Sequence, residues 1–185
     1  MIPVAEVPTG EEIYTRHFQE KLKNIPALRR GPAIRRRERL LKLREWIHQN
    51  RKAIHQAAYD DFRKPSAEVD AIEIYHVLNE IQQAVTNLDA WTKDKKIDAP
   101  LTMLGTRSFI RYEPRGVCLI ISPCNYPFSL SVGPIVSALA AGNAVVLKPS
   151  DHTPNMSSLL DKMVGDVFES NVVSVVEGDA EISQL

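Results

Sequence analysis

The chain has 185 residues, 44% of them hydrophobic, and its 23 Lys and Arg balance 23 Asp and Glu to a formal net charge of zero. That is enough apolar sequence for one ordinary packed domain, and a neutral chain has no global pull toward nucleic acid or an acidic membrane. The two cysteines, Cys118 and Cys124, lie close together in an apolar stretch, a pattern that is no disulfide framework and fits a reducing compartment. The first ten residues lack the basic and apolar regions of a secretory signal, and the apolar runs are too short or too interrupted to span a bilayer. The expectation is a cytoplasmic protein with no membrane and no nucleic-acid partner.

The first half reads as helices. Ile13, Phe18, Leu22 and Ile25 have loosely helical spacing, and Leu40, Leu43, Ile47 and Ile54 form a clearer stripe on one helical face. A third helix is expected after Pro65 with Ser66 as N-cap; its stripe is Ile74, Leu78, Ile81, Val85 and Leu88, closed by Trp91. Near residue 97 the composition shifts toward Val, Ile, Gly and Pro, and residues 97–113 read as a hairpin punctuated by Pro100 and Gly105. Val117–Ile121 is a continuous apolar run, as expected for a strand buried on both faces. A helix over 127–141, kinked or restarted at Gly133-Pro134, stops at Gly142-Asn143. A second buried strand spans 144–148, a helix opened by Thr153-Pro154 spans 154–168, and a third strand spans 172–176 before Gly178 turns the chain away. Strand, helix, strand, helix, strand implies a parallel sheet with right-handed crossovers. The fold class is therefore α/β: N-terminal helices, the start of a bridging hairpin, and an incomplete, Rossmann-like parallel sheet of three strands.

Ligands of open parallel sheets sit at the carboxyl ends of the strands. Three polar clusters fall there: Ser122-Pro-Cys-Asn125, Lys148-Pro-Ser-Asp151 and Glu177-Gly-Asp179. The glycine fingerprint of an ordinary dinucleotide site is missing from the first turn. From topology alone the ligand stays unassigned. Other constellations point to less. The basic run Arg29, Arg30, Arg35, Arg36, Arg37, Arg39, Lys42 and Arg44 carries a packing stripe and no interleaved aromatics, so nucleic acid is not its expected partner. Glu73-Ile-Tyr-His76 with Glu80 has the spacing of a bundle metal site, but the motif occurs once where such sites need it twice. It reads as a solvated flank, and no metal is expected. Cys124 has no neighbouring His or Lys to generate a thiolate, and Cys118 reads as a small core residue.

Pro114-Arg-Gly-Val117, Ile121-Ser-Pro-Cys-Asn-Tyr-Pro-Phe128 and Ala140-Ala-Gly-Asn-Ala-Val-Val-Leu-Lys-Pro-Ser150 resemble the aldehyde dehydrogenase superfamily. Arg39, Leu40, Leu43, Ile47, Ile54, Asp60, Asp61, Lys64 and Glu68 follow its N-terminal pattern, and Glu73-Ile, Asn79-Glu-Ile81 and Trp91 resemble its shorter, class 3-like branch. The likeness runs from about Ile34 to Leu185 and stops in mid-domain. It implies a division into residues 1–96, the helical part of the cofactor-binding domain, 97–113, a hairpin of the oligomerisation and bridging region, and 114–185, the first part of the NAD(P)-binding domain. It also implies oxidation of a small-molecule aldehyde through a cysteine thiohemiacetal in a complete enzyme. In that enzyme this chain is an N-terminal fragment, inactive alone and without the catalytic Cys and Glu.

By match to the family motif, Asn125 is the oxyanion donor, Lys148 holds the adenosine ribose, Asp151 stands where the family often has a glutamate that grips the ribose hydroxyls, Ser150 lies near the 2′ position, and Gly178 lies beneath the adenosine. Tyr126 and Leu130 line the aldehyde channel. The family commonly has tryptophan where Cys124 stands, with its nucleophile far downstream, and it lacks the glycine fingerprint as this chain does. Asp151 repels a 2′-phosphate and so favours NAD; its short side chain and Ser150 leave room for NADP. The implied assembly is a homodimer. Two other readings stay open: a non-catalytic nucleotide-binding or assembly module, and an acylating relative that passes the acyl group to coenzyme A.

Overall fold

A computed structural model describes residues 10–98, 100–103 and 105–178, with side chains from residue 15 onward. Five helical stretches come first: α1 (Gly10–Arg30), α2 (Ala33–Gln49), α3 (Arg51–Phe62), the short α4 (Ser66–Glu68) and α5 (Tyr75–Thr92), with α4 and α5 joined by a π-helical turn, Val69–Ile74. Strands β1 (Lys95–Ile97) and β2 (Ser108–Ile110) pair antiparallel. Then β3 (Val117–Ile121), α6 (Ser129–Ala140), β4 (Ala144–Lys148), α7 (Pro154–Val167) and β5 (Val173–Val175) build a parallel sheet of order β3-β4-β5. Strand β4 is buried along its whole length. It registers Val117 against Ala144 and Ile121 against Lys148 on one side, and Val145 against Val173 on the other.

The helical front differs from its sequence pattern in instructive ways. In α1 the buried positions are Lys21, Ile25 and Leu28, whereas Phe18 and Leu22 are exposed; the side chain of Ile13 lies outside the described residues. Lys21 is fully buried. Its ammonium donates to Ser174 Oγ at 2.6 Å and Ser170 O at 3.0 Å, which pins α1 to β5 and the turn before it. A hydrophobicity pattern cannot nominate a lysine for the core. Leu40, Leu43, Ile47 and Ile54 are all buried as expected, but the helix breaks at Asn50, whose N–H and side-chain amide both return to Trp46 O. The third stripe shares Ile74, Ile81 and Leu88 with the expected one, while Val77 and Ala84 are more deeply buried than Leu78 and Val85. Trp91 does not close it, being half exposed. Pro65, not Ser66, occupies the N-cap position.

The sheet differs at its edge. Leu119 and Ile121 of β3 are 58% and 54% exposed, so this strand is not buried on both faces. It is an edge strand with apolar side chains turned outward. Helix α6 runs through Gly133-Pro134 without interruption. It ends as expected: Gly142 takes φ 86°, its N–H reaches Leu139 O, and Asn143 N–H reaches Ala138 O. A left-handed residue of this kind favours glycine. A β-carbon there would also lie 2.5 Å from the guanidinium carbon of Arg36.

Most of the basic run is spent on internal bonds. Arg29 donates to Pro114 O, Arg36 to Ala140 O, Arg37 to Asp89 and Val85 O, Arg39 to Glu169, and Arg44 to Gln82. Several of these bonds tie the helical front to the sheet half. Among the described residues no helix is long and apolar enough to cross a membrane.

Burial lowers the Lys21 ammonium from 10.5 to about 8. Between those values the unfolded chain binds more protons than the folded one, so this group makes stability rise with pH across that window. We expect urea unfolding at pH 7.5 and 9.5 to show a stability gain for the wild type over Lys21→Met. Parallel pH profiles for the two proteins would refute the role of Lys21.

Candidate functional site

Parallel pairing brings three strand ends to one edge. Ile121 registers with Lys148, Ser122 N–H donates to Lys148 O at 3.1 Å, and Val176 N–H donates to Leu147 O at 2.8 Å. The loops 122–128, 149–153 and 176–178 therefore leave the sheet side by side. This is the edge where parallel α/β sheets take ligands.

In the first loop Ser131 Oγ lies 2.6 Å from Pro127 O and 2.8 Å from Ser122 Oγ. A hydroxyl has one proton, so Ser131 donates to the carbonyl and accepts from Ser122. Asn125 is exposed. Its carbonyl accepts from Lys64 Nζ at 2.7 Å, while its side-chain amide hydrogen-bonds to none of the described residues. Tyr126 is half-buried with its ring centroid 4.5 Å from the same ammonium. Leu130 is exposed in the first turn of α6, its N–H on Tyr126 O.

Sequence reasoning missed what holds this loop. Glu73 is 1% exposed, not a solvated flank. Its Oε2 accepts from the backbone N–H of Phe128 at 2.8 Å and of Ser129 at 3.3 Å, and its Oε1 meets Lys64 Nζ at 3.1 Å. The first N–H groups of a helix have no partner within it, and a carboxylate there is favoured by the helix dipole. Glu73 thus caps α6 from 55 residues away in sequence. The signal was present in spacing: Glu73 stands four residues before Val77, on the face that buries Val77, Ile81, Ala84 and Leu88. His76, its former motif partner, pairs instead with Glu80 at 3.2 Å. No cluster of metal-ligating side chains occurs among the described residues.

The second crossover helix is capped the same way. Asp61 at the end of α3 accepts from Asn155 N–H at 3.1 Å, the Asn155 amide at 2.8 Å and Met156 N–H at 2.9 Å. An open helix N-terminus is a ready anion site. Here both crossover helices have that position filled by the chain's own carboxylates.

Around the loop after β4 lies an open cleft of about 380 Å³, lined by Ser150, Asp151, Ser157, Ser158, Glu177 and Gly178 among others. Three of the four expected cofactor residues are therefore brought together there. Ser150 Oγ accepts from His152 N–H, and Ser150 O accepts from Ser157 Oγ, which fixes the rim; Asp151 is exposed on it. Lys148 is not at the rim. It is 3% exposed, with Nζ turned to Pro149 O at 3.2 Å. An ammonium has three donors, and that is its one hydrogen bond among the described residues. Cys118 and Cys124 are free and half-buried. Burial pushes the Cys118 thiol up, away from the thiolate a nucleophile needs.

The aldehyde dehydrogenase family profile matches residues 3–185. The chain belongs to that family. Within it, the chain is 40% identical over 149 residues to the 4,4′-diaponeurosporen-aldehyde dehydrogenase of Staphylococcus aureus, covering 80% of this chain and 32% of that protein. It is 39% identical over 150 residues to bovine aldehyde dehydrogenase family 3 member B1, covering 81% and 32%. Among solved structures, Staphylococcus aureus AldH in a substrate-bound state superposes with a TM-score of 0.89 at 36% identity, covering 92% of this chain and 37% of that one. The chain thus spans about a third of the length of the curated relatives it matches, and its affinity is with the class 3 branch.

Removing a partner from a buried charge-assisted hydrogen bond costs about 1–3 kcal/mol, and loss of a helix cap about 0.5–2 kcal/mol. We expect Glu73→Ala to destabilise the fold more than Asp61→Ala in urea titrations, because its amides are buried. Equal or inverted losses would show that the Glu73 cap does not carry the stated weight.

Proposed function

We propose that this chain serves an NAD(P)-dependent aldehyde dehydrogenase that converts an aldehyde to a carboxylic acid through a cysteine thiohemiacetal. It supplies the adenosine-ribose end of the cofactor site and one oxyanion donor. The observation that carries this reading is the pairing of strand ends: exposed Asn125, whose side-chain amide bonds to none of the described residues, follows β3, and the cleft of Ser150, Asp151 and Gly178 follows β4 and β5. The reading assigns neither the nucleophilic cysteine nor the general-base glutamate to these 185 residues. The chain acts as an N-terminal portion, in the cytoplasm and in a homodimer.

The residues fit a dinucleotide at its ribose end. Asp151 and Glu177 offer carboxylates to ribose hydroxyls, Lys148 keeps donors free beneath the loop, and Ser150 stands beside Asp151. The absent glycine fingerprint has a physical counterpart in the two internally capped helices, which leave no diphosphate seat at either N-terminus. Asp151 disfavours a 2′-phosphate by charge, so NAD is the preferred cofactor and NADP the secondary one. When bound, the cofactor accepts the hydride. Within this chain, Asn125 donates its amide to the oxygen that becomes negative as the nucleophile adds, and Tyr126 and Leu130 border the aldehyde's path.

Losing one such donor costs about 2.7–4 kcal/mol of transition-state stabilisation. We expect Asn125→Ala in the active enzyme to lower kcat by roughly a hundredfold to a thousandfold while the cofactor Kd stays unchanged. Equal losses in kcat and cofactor affinity would count against the oxyanion role. The purified 185-residue chain should give no NADH with any aldehyde; NADH production would overturn the assignment of the nucleophile elsewhere.

A further inference from the structure

The Asn125 loop is gripped from behind by a group that the reaction chemistry does not call for. Lys64 follows Arg63, the left-handed residue (φ 58°) that ends α3, and precedes Pro65. That turn places its side chain, 13% exposed, between two elements distant in sequence. One ammonium makes four contacts there: Asn125 O at 2.7 Å, Glu73 Oε1 at 3.1 Å, the Tyr126 ring at 4.5 Å and the ring of Phe62, on its own side of the turn, at 5.5 Å. Glu73 in turn holds the amides of Phe128 and Ser129. On the loop itself, what the pair holds is backbone and the Tyr126 ring face, and the Asn125 side-chain amide is left without a partner among the described residues.

We propose that Lys64 is a positioning residue for the oxyanion donor: with Glu73 as its anchor, it locks the Asn125–Tyr126 backbone so that the Asn125 amide is pre-aimed at the reacting oxygen. This rests on the reading of Asn125 as that donor. A preorganised donor stabilises the transition state because it needs no reorientation when charge develops. A side chain is pre-aimed only if its own backbone is fixed, and placement errors near 1 Å cost about a hundredfold in rate. The rival account is that Lys64 only neutralises Glu73. Neutralisation alone does not require the second bond, which Lys64 donates to Asn125 O at 2.7 Å.

The variants must separate loop placement from stability. Lys64→Met alone leaves the buried Glu73 carboxylate without its cation, which destabilises any fold. The double variant Lys64→Met/Glu73→Gln removes that unpaired charge and keeps an acceptor oxygen for Phe128 and Ser129 N–H. The measurements are made on the protein as it occurs: urea unfolding, amide hydrogen exchange over residues 125–129, cofactor Kd, and kcat and KM for a test aldehyde. We expect the double variant to regain most of the stability lost by Lys64→Met, yet to exchange faster at 125–129. Its kcat should fall about tenfold to a hundredfold at unchanged cofactor Kd. Lys64→Arg, which keeps charge and donors, should recover part of kcat. In an Asn125→Ala background, Lys64→Met/Glu73→Gln should lower kcat no further, because a residue acting through Asn125 has nothing left to position.

A double variant with wild-type kcat would overturn the proposal, and so would additive losses in the Asn125→Ala background. If an enzyme that contains the wild-type chain together with a nucleophilic cysteine oxidises no aldehyde, the functional reading fails separately. The exchange measurement then decides Lys64 alone, and unchanged protection at 125–129 overturns its role in holding the loop.

Discussion

The buried carboxylate of Glu73 against the first amides of α6 is the contact on which the site depends. A buried carboxylate is costly unless its oxygens are paired, and Glu73 pairs both: one with helix amides, the other with Lys64. These partners come from opposite halves of the chain. The π-helical turn that carries Glu73 therefore has one seating against the α/β half, and that seating sets where the loop after β3 leaves the sheet. Irregular helical turns of this type recur at functional sites.

The same device appears twice. Asp61 from α3 caps α7 as Glu73 caps α6, so the helical front completes the sheet half's crossover helices rather than lying beside them as a separate layer. Lys21 on Ser174, Trp46 on Asp166 and Arg39 on Glu169 extend the attachment to β5 and the end of α7. A charged or polar group from the front meets a backbone or polar group of the sheet half at each point. Both helix N-termini already face carboxylates, and the open cleft lies instead among the loops, lined by Ser150, Asp151, Glu177 and Gly178.

Much of this was legible from spacing. The runs Val117–Ile121 and Ala144–Lys148 are strands to the residue, and the stop at Gly142 is encoded by a residue that tolerates left-handed backbone. The likeness named Asn125, Ser150, Asp151 and Gly178, whose loops leave the sheet at one edge, whereas the Lys148 side chain is buried beneath it. What stayed hidden shares one cause: long-range polar partners do not show in periodicity. Lys21 and Glu73 sit on helical faces where an apolar residue is the default, and their partners lie 153 and 55 residues away. Choosing Leu78 and Val85 by hydrophobicity turned the third helix just far enough to leave Glu73 outside. The exposed face of β3 was misread for a related reason, since an apolar run reports what a strand is built to contact, and Leu119 and Ile121 meet nothing among the described residues that covers them.

On the function proposed above, self-capping by Asp61 and Glu73 would keep a dinucleotide off the helix ends and direct it to the loop cleft. Titrating the isotope-labelled chain with NAD and following backbone amide shifts tests it directly. Shifts are expected at Ser150, Asp151, Ser158 and Gly178, with the amides of Phe128, Ser129, Asn155 and Met156 unmoved. Shifts concentrated on those four helix-end amides would mean that the dinucleotide displaces the carboxylates, and would contradict it.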